Sequence, residues 1–182
     1  MRGSAGSEIV ACCETVLAQL SEETILREGA WVILSVGFRA EIVRRIFPSV
    51  SRAFRDWSSA SLIIEQADAC MRDASHVFNN PVKLGAIIAL AQRLASTSTE
   101  WFASHISDGV AVAGLPMFGP VSSLHLQMNL GVATAKPDRH LRRLADNWGF
   151  SSAQDLCAQL AAYTGDDIRM IDRVLWHTAI ES

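Results

Sequence analysis

The sequence predicts an all-helical fold, and three observations carry that expectation. Apolar residues recur at three- and four-residue spacing along most of the chain, alternating β-branched runs are scarce, and Pro, Gly, Ser and Thr stand where helices would start and stop. At 182 residues the chain is long enough for one good core, or for two small lobes around a cleft, and too short for several independent domains.

The elements follow in order. From Glu8 to Leu20, the residues Ile9, Cys13, Val16, Leu17 and Leu20 form one apolar stripe. A second helix is expected from Ala30 to Phe47, ending at Pro48, and a third from Pro48 to about Trp57. Ser58-Ser59 breaks the chain before a helix over Leu62 to Met71. Asn79-Asn80-Pro81 then opens a helix through Ala95 with a strongly apolar face. Thr97-x-x-Glu100 reads as a capping box for a helix through Ile106, while Ser151-x-x-Gln154 and Thr164-x-x-Asp167 cap the last two. No internal repeat or long linker divides the chain.

Composition narrows the classes. Apolar residues make up 49% and charged residues 19%, with no apolar run near the ~20 residues of a membrane span. The N-terminus lacks the apolar segment of a secretory signal, so the expectation is a cytoplasmic protein. The cysteines at 12, 13, 70 and 157 show no metal-finger spacing and are expected reduced and packed. Only Cys157 lies in the C-terminal region, which excludes a four-thiolate iron-sulfur cluster there. The formal charge is −3, yet basic residues concentrate in two stretches: Arg39, Arg44, Arg45, Arg52 and Arg55, then Lys136, Arg139, Arg142 and Arg143 around Asp138.

Residues 108 to 148 carry the most information. A short helix, Asp108 to Ala113, is expected before Gly114-Leu115-Pro116-Met117-Phe118-Gly119, a tight turn with glycine at each end. Pro120 sits at a first helical position and Gly131 past a helix end, bracketing a helix by the usual asymmetry. Helix, hairpin, helix results, and the second helix offers outward N–H groups and a positive dipole end to an anion. Lys136-Pro137-Asp138-Arg139-His140 then opens the next helix. Asp138 is expected in its first turn, ionised beside Lys136 and Arg139, as a fixed negative charge.

Leu115-Pro116-Met117-Phe118-Gly119-Pro120 followed by Asp138-Arg139-His140 resembles the helix-hairpin-helix DNA glycosylases, whose pattern is a Leu-Pro-Gly-x-Gly hairpin, a helix, and a catalytic Asp written Val-Asp-x-His. Ile33 to Phe38 resembles the helix lining the base pocket, and Lys83 to Leu94 the helix beneath the hairpin. The likeness covers most of the chain, with 114 to 140 its specific part. It implies a two-lobed helical fold, one lobe from residues 1–29 plus 132–182 and the other from 30–131 with the helix-hairpin-helix at 108–130.

It implies further that Leu115, Pro116, Met117, Phe118, Gly119 and Val121, with Lys136 and Arg139, contact DNA, and that Asp138 is catalytic. The carbonyls of Ala113, Leu115 and Phe118 match those that hold a structural K+ or Na+ in the family; no cofactor is implied for the chemistry. Bifunctional members carry a lysine two residues beyond the second hairpin glycine, and here Val121 stands, which implies hydrolysis to an intact abasic site. Cleaving an N-glycosidic bond develops an oxocarbenium-like sugar, which a carboxylate stabilises, and the base must leave the stack. Trp31, Ser35, Gly37, Phe38 and Trp176 are the expected pocket residues, with Trp148 a further aromatic candidate.

Met117 departs from the family glycine, and a side chain tolerates positive φ less well. His125, Gln127 and Asn129 are expected to be solvent-facing or core residues, and Asp172 an interhelical salt-bridge or capping group. The expected partner is duplex DNA with a modified base, bound by a monomer in the bacterial nucleoid. Two readings stay open beside it: a non-catalytic helix-hairpin-helix DNA-binding module, and a helical protein-interaction subunit.

Overall fold

Helix α1, Glu22–Ser35, begins where Ser21 caps the N–H of Thr24 and acidic Glu22 and Glu23 meet the positive end of the dipole. It is buried on most of its circumference, with Ile25, Leu26, Ile33 and Leu34 inaccessible to solvent. The structure is a computed structural model that describes Leu17 and residues 19–181. Cys12, Cys13 and most of the expected Glu8–Leu20 helix lie outside the described residues.

The helix expected over Ala30 to Phe47 is instead broken. Val36 turns extended, Gly37 takes φ +75°, and α2, Ala40–Ala53, starts afresh. The break is held by a buried lysine. Lys83, 5% exposed, donates from Nζ to the carbonyls of Ile33, Leu34 and Val36, which have no acceptor role left inside α1. Pro48 does not end a helix either. It sits inside α2 on an exposed face, and the helix runs on to Ala53.

Arg55, Asp56 and Trp57 then adopt positive φ in succession, a costly conformation for side-chain-bearing residues. Arg55 anchors it through Gln66, the Ala53 carbonyl and Asp73, while Ser51 donates to Asp56. The turn delivers Trp57 into the core, stacked on Phe54 at 5.6 Å. Two helices follow where one was expected: α3, Ala60–Glu65, capped by Ser59, and α4, Ala67–Ser75.

Helix α5, Pro81–Thr97, opens as expected, with Asn80 as cap and Pro81 in the first turn. It passes so close to α1 that a Cβ on Gly29 would meet Leu90 Cδ2 at 2.2 Å. Because α5 runs through Thr97, the cap of α6, Thr99–His105, is Ser98 rather than Thr97. The expected Asp108–Ala113 helix is a 3-10 turn, Val110–Val112, following left-handed Gly109. After α7, Pro120–Asn129, come α8, Arg139–Asn147; α9, Ala153–Thr164; and α10, Ile168–Glu181. Ser152 rather than Ser151 caps α9, and Asp167 accepts from the first turn of α10.

The described residues are thus helical and turn-forming, without strands, and no helix among them is long and apolar enough to cross a membrane. Their buried side chains form two clusters. The larger runs from Ile25 to Leu130, and the smaller joins Ala135, Leu141, Ala153, Cys157 and Ile171. The division expected at residue 29 falls inside α1, whose Ile25 and Leu26 belong to the larger cluster. Cys70 and Cys157 are buried free thiols, and burial pushes Cys157 up to about 12.

Candidate functional site

The hairpin is built from a small set of backbone requirements. Leu115 N–H closes on the Val112 carbonyl at 3.1 Å and Phe118 N–H on the Leu115 carbonyl at 3.3 Å. Gly114 and Met117 both take positive φ, +76° and +70°, so the position where the resemblance prefers glycine does adopt the conformation glycine favours, with a methionine. Ser122 latches the turn, its hydroxyl donating to the Met117 carbonyl at 2.7 Å and accepting from Gly119 N–H at 2.8 Å.

Pro120 occupies the first turn of α7, and Gly131 follows its last residues with φ +103°, as the sequence predicts. With Gly119 N–H bonded to Ser122 and Pro120 lacking a donor, the N–H groups of Val121 and Ser122 lack intrahelical acceptors. Gly114, Pro116, Gly119 and Pro120 are exposed, while Leu115, Met117 and Phe118 tuck against the larger core. The hairpin therefore presents backbone outward and is anchored by side chains beneath.

Two cavities meet behind it. One, of about 570 Å³, lies between Ser35-Val36-Gly37 and the hairpin residues Met117 to Ser122. The other, of about 580 Å³, is lined by Trp31, Phe38, Phe47, Asn129, Asp172 and Trp176, among others. Ser35, His125 and Lys136 line both, so the two make one groove.

Its aromatic wall is fixed from behind. Trp31 meets Phe47 edge to face at 5.2 Å, Phe47 stacks on Trp57 at 5.7 Å, and Phe38 lies against Phe78 and the Lys83 ammonium. Asn129 is held by its bond to Glu28 at 3.0 Å. Burial, with the charge of Lys136 adding, pushes His125 down to about 3, which keeps its imidazole neutral at neutral pH.

The most telling residue is Asp172. It is 3% exposed and its Oδ2 accepts the Lys136 N–H at 2.8 Å. Burial raises its carboxyl to about 6, the Lys136 N–H opposes that rise, and the charge of Asp138 adds to it. Two carboxylates therefore influence each other near the groove. Asp138 caps α8, with Oδ1 accepting from His140 and Leu141 at 2.9 and 3.1 Å. Pro137, expected at the first helical position, instead precedes the cap, so the helix starts two residues later than expected and Asp138 caps it rather than lying in its first turn.

Of the residues singled out in the sequence, the groove gathers Trp31, Ser35, Gly37, Phe38, Met117, Phe118, Gly119, Val121, Lys136 and Trp176. Leu115, Pro116, Asp138 and Arg139 do not line either cavity; half-buried Asp138 stands beside the groove, two residues past Lys136. Trp148 is 54% exposed and outside it. Phe47 and Asp172 are the contributions sequence reading missed, and His125 and Asn129 line the groove rather than serving only solvent or core. One signal was available: Asp172 and Trp176, like His125 and Asn129, are four residues apart and share a helix face.

Two of the three carbonyls implied to hold a monovalent cation, those of Ala113 and Leu115, already accept hydrogen bonds. Arg93 donates from Nη2 to the Ala113 carbonyl at 3.1 Å and from Nη1 to that of Ala111 at 3.3 Å, and the Leu115 carbonyl accepts from Phe118. A guanidinium already stands at Ala113, and the set does not fit a free cation. No cluster of three or more His, Cys, Asp or Glu suited to a metal occurs among the described residues. No family model, curated protein or solved structure matches the chain.

Proposed function

We propose that the protein is a monofunctional DNA glycosylase of the helix-hairpin-helix type, with its two-lobed fold, that hydrolyses the bond between a modified base and its deoxyribose. The observation that carries the reading is the groove itself: an outward-facing hairpin that opens a helix adjoins an aromatic-walled cavity, and Lys136, whose N–H is bonded to Asp172, stands at the junction. Each part answers one demand of the reaction.

The N–H groups of Val121 and Ser122, at the positive end of α7, hold a phosphate of the damaged strand without requiring a lysine in the turn. Lys136 and Arg139 neutralise neighbouring phosphates. The everted base enters between Trp31 and Trp176, where flat apolar surfaces replace its lost stacking. As the glycosidic bond lengthens, positive charge develops on the sugar, and Asp138 stabilises it electrostatically. Asp172, held close to the working pH range, is suited to orient the attacking water and accept its proton. Without an amine in the turn at Val121, water is the nucleophile and the product is an intact abasic site.

Single-turnover release of base from a panel of duplexes, each with one modified base and read by alkaline cleavage, tests this. The expected result is excision of at least one base by the wild type and none by Asp138→Asn, which still binds the duplex. A chain that binds every duplex and releases nothing is instead a non-catalytic DNA-binding module, a reading favoured by the capping role of Asp138 and its position off the cavity wall. A chain that binds no duplex is neither.

A further inference from the structure

We propose that Arg93 is the hairpin's built-in cation: its guanidinium takes the place of a free monovalent ion at the carbonyls that lead into the turn. Arg93 projects from α5 and spans the end of the 3-10 turn, donating to the Ala111 and Ala113 carbonyls at 3.3 and 3.1 Å. Both groups belong to the closing end of a helical turn, where carbonyls have no intrahelical donor and carry the negative end of the local dipole. A cation is the natural partner there, and a planar guanidinium can serve two carbonyls at once.

Two further facts make this more than a surface contact. Arg93 forms no ion pair among the described residues, so its charge is directed at these carbonyls and not at an acid. The Leu115 carbonyl, another member of the implied ion site, is taken by Phe118 N–H. A K+ or Na+ arriving at Ala113 would therefore meet a fixed positive charge. A tethered ion differs from a free one in that its occupancy is independent of the ionic medium. It also ties α5 to the first arm of the hairpin and leaves a permanent positive charge there. The consequence for duplex affinity rests on the proposed glycosylase reading, whereas the consequence for stability does not.

The test compares K+, Na+ and choline chloride at equal ionic strength, reading the melting temperature and, separately, binding to a short unmodified duplex. An ion held only by the folded state stabilises it in proportion to its occupancy. The wild type is expected to melt at the same temperature in all three salts. Arg93→Ala is expected to melt about 5 °C lower in choline, to regain part of that loss in K+ or millimolar guanidinium, and to bind duplex about tenfold more weakly.

A wild type that loses stability when choline replaces K+ overturns the proposal, as does an Arg93→Ala variant that melts like the wild type. So does a lowered melting temperature that neither K+ nor guanidinium restores, which marks a packing role. If Arg93→Ala does not fold, Arg93→Gln keeps a hydrogen-bonding group without charge: acquired K+ dependence supports the proposal and wild-type behaviour in choline defeats it. Melting needs no DNA, so a wild type that melts independently of the salt and binds no duplex sinks the glycosylase reading alone.

Discussion

The carboxylate of Asp172 accepts the backbone N–H of Lys136 at 2.8 Å, and that bond joins α10 to the connection carrying Lys136 and Asp138. The N–H bond, with the charges of Lys136 and Arg173, offsets only part of the cost of burying a charge. The raised carboxyl, about 6 against an ordinary 3.8, records that cost.

A sign follows for stability against pH. A carboxyl raised on folding contributes stability that is complete below its unfolded value, near 3.8, and is lost as pH rises through about 6. Asp172→Asn keeps an oxygen for the Lys136 N–H and cannot ionise. Urea unfolding is expected to show the variant gaining about 2 kcal/mol relative to the wild type between about pH 4 and pH 7.5. Base release is expected to fall at the same time; unchanged relative stability across that range would remove the buried charge from the account.

Ser122→Ala removes a hydroxyl that serves both the Met117 carbonyl and the Gly119 N–H. The residue is 9% exposed, so water does not readily replace it. A loss of about 1–2 kcal/mol is expected by chemical denaturation, together with weaker duplex binding because Met117 no longer has its left-handed conformation held. Met117→Val is expected to cost more than Met117→Ala, since β-branching is least compatible with φ +70°.

Lys83→Met preserves the apolar stem and deletes the ammonium that closes the end of α1. About 2 kcal/mol is the expected loss, set by three carbonyls left without donors and partly offset by no longer burying a charge. Because those carbonyls lead into Gly37 and Phe38, the variant is also expected to quench differently on binding duplex, read from tryptophan fluorescence of Trp31.

Lys83 and Lys136 are the lysines of the sequence, and only Lys136 lines the groove. Hydrolysis by water leaves no imine, so borohydride added during turnover on a modified duplex is expected to trap no protein–DNA adduct. An adduct that disappears in Lys136→Arg would show amine attack on the sugar and defeat the hydrolytic reading.

Local chemistry was legible in the chain wherever neighbours in sequence settle the matter. The apolar spacing gives the helical class, Asn80-Pro81 and Gly119-Pro120 open α5 and α7, and the hairpin residues group with Lys136 because a tight turn and one helix fix their separation. Where the outcome depends on a distant side chain, the sequence misleads. The break at Val36-Gly37 is stabilised by Lys83, 47 residues from Val36, and the helix through Pro48 survives because its face is exposed.

The candidate site divides the same way. Trp31 lies on α1, Phe38 in the break after it and Trp176 on the last helix, and the family resemblance singled them out as pocket candidates. Asp172 looked like a cap or an ion-pair partner because nothing in its neighbours reveals burial. Nothing in the residues next to Arg93 marks it out. The titration of Asp172 and the engagement of Arg93 are set by what packs around them from other helices, since desolvation and hydrogen-bond supply are properties of a three-dimensional environment and not of spacing along a chain.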